Sequence, residues 1–110
     1  MSAALLYGPR AIGARRQLSI PRRVLTGAGI DVPGRVRFES VNGVVRVRRA
    51  EEGEEGAQMV SKVGQVVTPS WVMQTLGVSV GGAVYARSGS DAVIELVAST
   101  RVRISGSSRR

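Results

Sequence analysis

Two arginine pairs, Arg15–Arg16 and Arg22–Arg23, flank the run Gln17-Leu18-Ser19-Ile20-Pro21. Guanidinium groups stay charged and present a planar fork of donors that fits phosphate or carboxylate, so this spacing suits gripping an anion. The residues between the pairs alternate as a half-buried strand does. Pro21 suits the first position of a helix, where its missing N–H is no loss. A strand-to-helix corner of this kind turns side chains and free backbone N–H groups outward. The expectation is a single corner crowded by four arginines. Catalysis has little to draw on. Cysteine and histidine are both absent, which excludes disulfides, Cys/His zinc sites, Cys–His dyads and Ser-His-Asp triads. Asp31, Glu39, Asp91 and Glu95 suggest no paired acid–base geometry. We expect no enzymatic activity, no cofactor and no metal.

A chain of 110 residues is one ordinary domain or two very small units sharing a core. Lys and Arg number 16 against 8 acids, a net charge of +8 carried almost wholly by arginine. That balance points to nucleic acid or another anionic surface. The opening Ala3-Ala4-Leu5-Leu6-Tyr7 run is too short for a signal-peptide core, and no stretch approaches a membrane span. A soluble cytoplasmic protein is expected.

Read in order, residues 1–14 form an N-terminal arm broken by Gly8-Pro9 and Gly13, with an edge strand over Leu5 to Tyr7 as the most it would hold. After Pro21, Val24, Leu25 and Ala28 make one apolar helical stripe, which Gly29 closes. Pro33-Gly34 is a turn. Val36 and Phe38 alternate with Arg35, Arg37 and Glu39, Asn42-Gly43 is a strong hairpin signal, and Val45 and Val47 return between Arg46 and Arg48. The reading covers edges with Arg46, Arg48 and Arg49. Glu51-Glu52-Gly53-Glu54-Glu55-Gly56 falls in an acidic linker, residues 51–59, either simply solvated or imitating phosphates against the basic face. Residues 99–110 read as a basic tail, with one strand extended through Val102 and Ile104 and disorder beyond.

Past the linker the first half recurs. At an offset of 48, Gln17 falls on Gln65, Leu18 on Val66, Pro21 on Pro69, Leu25 on Met73, Gly29 on Gly77 and Gly34 on Gly82. The second hairpin, turning at Ser88-Gly89-Ser90-Asp91, needs an offset of 49 and sets Ile94 and Leu96 on Val45 and Val47. This is an internal repeat, with units at 15–50 and 60–98, and Thr68 before Pro69 reads as an N-cap. The copies differ in charge. Residues 1–50 hold ten arginines and two acids, whereas residues 57–98 hold two bases and two acids. Arg22 and Arg23 become Ser70 and Trp71, Arg35 becomes Ala83, Arg37 becomes Tyr85 and Arg46 becomes Glu95. The first repeat is therefore expected to bind nucleic acid, the second to complete the core, oligomerise or meet a protein. Trp71 reads as packing or interface before base stacking.

Ala14-Arg15-Arg16-Gln17-Leu18-Ser19-Ile20-Pro21 through Arg49, and Lys62-Val63-Gly64-Gln65-Val66-Val67-Thr68-Pro69 through Leu96, resemble the AbrB/SpoVT/MazE swapped-hairpin family. The resemblance spans about 80 of 110 residues. Arg16 stands where that family has glycine, Ala28 where it has leucine, and Pro33-Gly34 comes one place late. The resemblance implies a mainly β fold with two short helices, in which two hairpin units interleave into a tandem swapped-hairpin β-barrel. It also implies a cytoplasmic, nucleoid-associated transcriptional regulator that contacts double-stranded DNA. Carried over by position, the DNA-binding residues would be Arg10, Arg15, Arg16, Gln17, Arg22 and Arg23. Arg35 and Arg37 on the adjoining hairpin face join them, and Lys62 alone extends the assignment into the second repeat. The alternative within the family is a MazE-like antitoxin that binds a toxin protein and its own operator, although the C-terminus here is basic where such proteins carry an acidic extension. A self-assembling scaffold or an RNA-binding element is a third class. The repeats would pair within one chain or like with like across two, and at least a homodimer is expected.

Overall fold

The computed structural model describes residues 6–88 and 92–101. The Ser88–Asp91 turn falls largely outside them. So do Leu5, Val102, Ile104 and the basic tail beyond Arg101.

The described residues form eight strands and two short helices in a nearly closed, barrel-like antiparallel sheet. In chain order these are β1 (Leu6–Ala11), β2 (Gln17–Ser19), α1 (Arg22–Gly27), β3 (Gly34–Val41), β4 (Val44–Arg49), β5 (Gln58–Val60), β6 (Gln65–Val67), α2 (Ser70–Leu76), β7 (Ala83–Ser88) and β8 (Ile94–Ala98). A 3-10 turn, Ser99–Arg101, follows. The sheet runs β1-β7-β8-β4-β3-β5-β6-β2. Its two edges come together where the Gly13 N–H donates to the Gln17 carbonyl at 2.9 Å. No described helix is long and apolar enough to cross a membrane.

Local chemistry accounts for most elements. Asn42 and Gly43 take φ of 53° and 80°, as a two-residue turn between strands of right-handed twist requires. Alternation along β3 and β4 buries Val36, Phe38, Val45 and Val47 and leaves the arginines outward. A left-handed glycine closes each helix, Gly77 at the C-cap of α2 and Gly29 one residue past the Ala28 C-cap of α1. Ile30 N–H returns to the Leu25 carbonyl beyond Gly29, and Val78 N–H to the Met73 carbonyl beyond Gly77, each at 3.0 Å. Pro21 stands at the N-cap, one place earlier than the sequence suggests, and its carbonyl accepts from Val24 and Leu25.

Thr68 departs from its expected role. Pro69 occupies the N-cap with no side-chain cap bond, and Thr68 is buried with its Oγ1 unpartnered. The 48 offset explains this, because Thr68 takes the place of the buried Ile20. The arm also differs from expectation, since Leu6–Ala11 is a full strand through Pro9. It pairs with β7 through an irregularity between Tyr7 and Arg10, which lets the proline pass without a ladder bond.

Register relates the halves. Leu18 pairs with Val66 in β2–β6, and Arg46 with Glu95 in β4–β8, so each residue faces its own repeat counterpart. The leading strands cross over. Arg35 on β3 pairs with Met59 on β5, and the equivalent Ala83 on β7 pairs with Ala11 on β1. An approximate two-fold axis therefore passes through the β2–β6 and β4–β8 pairs. The two halves share one core, from Ile12, Leu18 and Leu25 to Val66, Val72 and Leu96.

Candidate nucleic-acid interface

The β2–β6 ribbon is the centre of the candidate site. Leu18 and Val66 point into the core, so the ribbon's other side chains face out: Gln65 and Val67 are exposed, Gln17 and Ser19 half-buried. Gln17, Gln65 and Val67, together with Met59, border a shallow apolar groove of about 370 Å3.

Each end of the ribbon is a tight turn set against the start of the other repeat's helix. The Thr68 N–H donates to the Arg16 carbonyl at 2.8 Å, and the Ile20 N–H to the Gly64 carbonyl at 2.9 Å. These two bonds are equivalent under the 48 offset. The first places the 13–16 turn, with exposed Arg15 and Arg16, beside the strand that leads into Ser70 and Trp71. The second places the 61–64 turn, with exposed Lys62, beside the strand that leads into Arg22 and Arg23. A Cβ on Gly64 would stand 2.6 Å from the Ile20 carbonyl and 3.6 Å from Leu25 Cδ1, so α1 packs against this turn.

The single corner expected from sequence is thus divided in two. Arg15–Arg16 and Arg22–Arg23 lie at opposite ends of β2, because a strand separates its ends by about 3.3 Å per residue. Interleaving also puts Lys62 at the second end, next to arginines of the first repeat. Trp71 joins the site, and the already expected Lys62 is set beside the first repeat, through pairing between halves, which an offset alone does not signal.

Two details sharpen the first end. Arg16 holds φ of 62° where its counterpart Gly64 holds 82°, a left-handed conformation that non-glycine residues seldom take. The Arg15 N–H donates to Gln17 Oε1 at 2.9 Å. Gln17 therefore braces the turn that presents the arginines. At the second end, the Arg22 guanidinium donates to the Val32 carbonyl at 3.3 Å, and Arg23 lies 5.2 Å over the Tyr7 ring. Arg10 is exposed on β1.

Compared with known proteins, the chain matches no family model and no curated sequence.

The remaining two expected contacts, Arg35 and Arg37, sit in a different electrostatic setting. Arg37 donates to Glu54 and to the Glu55 carbonyl. Arg48 binds Glu54 and Glu39, each at 2.6 Å, and Arg49 stands 3.9 Å from Glu51. Arg35 is exposed and shares a cleft with Asp31, Arg49, Glu51 and Glu52. Hydrogen bonds from Arg48, helped by the Glu51 N–H, pull the Glu54 carboxyl down to about 2. The same contact with Glu54, then that with Glu39, raises the Arg48 guanidinium above its ordinary value. The acidic stretch is therefore folded onto the hairpin. By contrast, Arg10, Arg15, Arg16, Arg22, Arg23 and Lys62 form no ion pair with a described carboxylate. Among the described residues, no cluster of acids is placed to hold a metal.

Proposed function

We propose that this protein binds duplex DNA as a transcriptional regulator of the AbrB/SpoVT kind, through the face centred on β2–β6. We infer further that its two repeats are tandem swapped-hairpin units, a reading supported by the crossed leading strands and the counterpart-to-counterpart registers. Its site of action would be the cytoplasmic nucleoid.

One observation carries the functional reading: Arg15, Arg16, Arg22, Arg23 and Lys62, at the two ends of the β2–β6 ribbon, form no ion pair with a described carboxylate, whereas Arg37, Arg48 and Arg49 of the first hairpin are engaged by Glu39, Glu51 and Glu54. A face kept free of internal counter-ions is suited to exchanging condensed cations for phosphate contacts. Arg16 adds to this. An arginine held in a glycine's conformation carries a conformational cost, and such outliers cluster at binding sites. Four residue steps from Arg16 to Ile20 span about 13 Å, close to the roughly 12 Å width of the DNA major groove.

Replacing Arg15 and Arg16 together with alanine should leave the circular dichroism spectrum unchanged. It should weaken duplex binding by at least about tenfold at low salt and flatten the salt dependence. An unchanged gel-shift midpoint would remove that turn from the interface.

A further inference from the structure

The approximate two-fold axis raises a question of stoichiometry. A protein that meets DNA on a two-fold axis ordinarily does so with two identical chains and a palindromic site. Here both sides of the axis come from one chain, and their chemistry differs. One end offers Arg15 and Arg16 from a turn, with Trp71 on the neighbouring helix start. The other offers Lys62 from a turn, with Arg22 and Arg23 on the neighbouring helix start. Equivalent positions thus carry Arg16 against Gly64 and Trp71 against Arg23. The bonds that seat the two ends are nevertheless the same.

We propose that a single chain is the complete DNA-binding unit and that its preferred duplex is non-palindromic, with one flank held by the Arg15–Arg16 end and the other by the Arg22–Arg23–Lys62 end. This rests on the DNA-binding reading above. The register supports it. Within one chain Arg46 stands opposite Glu95 across the axis on the far side of the barrel, with the Glu95 carboxylate bound by Arg87 at 2.6 Å. If like repeats paired across two chains, Arg46 would face Arg46 and Glu95 would face Glu95, and like charges directly opposite destabilise a sheet. Pairing within the chain is therefore favoured, and each barrel then has one end of each kind. The protein would read the orientation of its site as well as its sequence, since turning the duplex end for end exchanges unlike flanks.

Site selection from a randomised duplex library with the full chain, followed by native mass measurement of the selected complex, tests this. The expected result is an asymmetric motif bound by one chain. Hydroxyl-radical footprints should then show Arg15→Ala/Arg16→Ala losing protection on one flank and Arg22→Ala/Arg23→Ala losing it on the opposite flank. Each double variant should bind at least about tenfold more weakly at low salt. A palindromic motif occupied by two chains, or both variants losing protection on the same flank, overturns the proposal while leaving DNA binding standing. Failure to enrich or protect any duplex overturns it together with the DNA reading.

Discussion

Arg16 is where stability and binding pull apart. A left-handed non-glycine residue costs roughly 1–2 kcal/mol, of which glycine's extra unfolded-state entropy would return part. Arg16→Gly should therefore raise the unfolding free energy by about 0.5–1 kcal/mol in urea titration, while weakening DNA binding. A loss of both would show that the side chain holds the turn together. Thr68 gives a second test, this time in the core. Its Oγ1 is buried without a partner, and an unsatisfied hydroxyl costs about 1–3 kcal/mol. Thr68→Val, which keeps the shape and removes the orphan, should stabilise the fold by about 1 kcal/mol, with unchanged DNA affinity. Both residues were half-legible in the sequence. The repeat alignment sets Arg16 on Gly64 and Thr68 on Ile20. A threonine before proline, however, also looks like a helix cap, and only packing decides that it turns inward.

Among the elements, those defined by local chemistry were readable and those defined by partners were not. The Asn42-Gly43 hairpin, the two glycine-terminated helices and the outward arginines of β3 and β4 follow from turn residues and alternation. β1 was hidden by Gly8-Pro9, which is tolerated because it lies at a register irregularity. β5 was hidden because its three residues lack the proline and helix that follow the equally short β2 and β6. The acidic stretch between the repeats is likewise more than a tether. Glu54 meets Arg37 and Arg48 just before β5 lies down on β3. Its carboxyl is held down at about 2. A depressed folded-state value means that the contribution is complete above the unfolded carboxyl value of about 4.3 and is lost as pH falls from there through about 2. The urea midpoint of the native chain should thus fall more steeply between pH 5 and pH 2 than that of Glu54→Gln, which begins lower and lacks this titration. Parallel profiles would show that the clasp contributes nothing to stability.

At the scale of the whole molecule, the repeat was visible in the sequence but the exchange between its copies was not, because an offset says which residues correspond and nothing about which residues touch. Interleaving changes the functional reading, since it moves Lys62 beside Arg22–Arg23 and divides the arginines of one repeat between two ends. It also makes each half depend on the other. β2 finds its ladder on β6, β1 on β7 and β5 on β3. A half-chain of this size cannot bury enough apolar surface alone. Fragments 1–56 and 57–110 should therefore be largely unfolded when separate and recover the β-sheet spectrum when mixed in equal amounts, with the transition depending on concentration. The mixed pair should form in preference to either homodimer, because Arg46 opposite Glu95 is complementary whereas Arg46 opposite Arg46 is not. Introducing Arg46→Glu into the first fragment should reverse that advantage by setting carboxylate against carboxylate, weakening the mixed pair several-fold in a sedimentation titration. If fragment 1–56 instead folds and dimerises by itself as tightly as the mixture, the second copy is dispensable to the barrel and the pairing within one chain loses its physical basis.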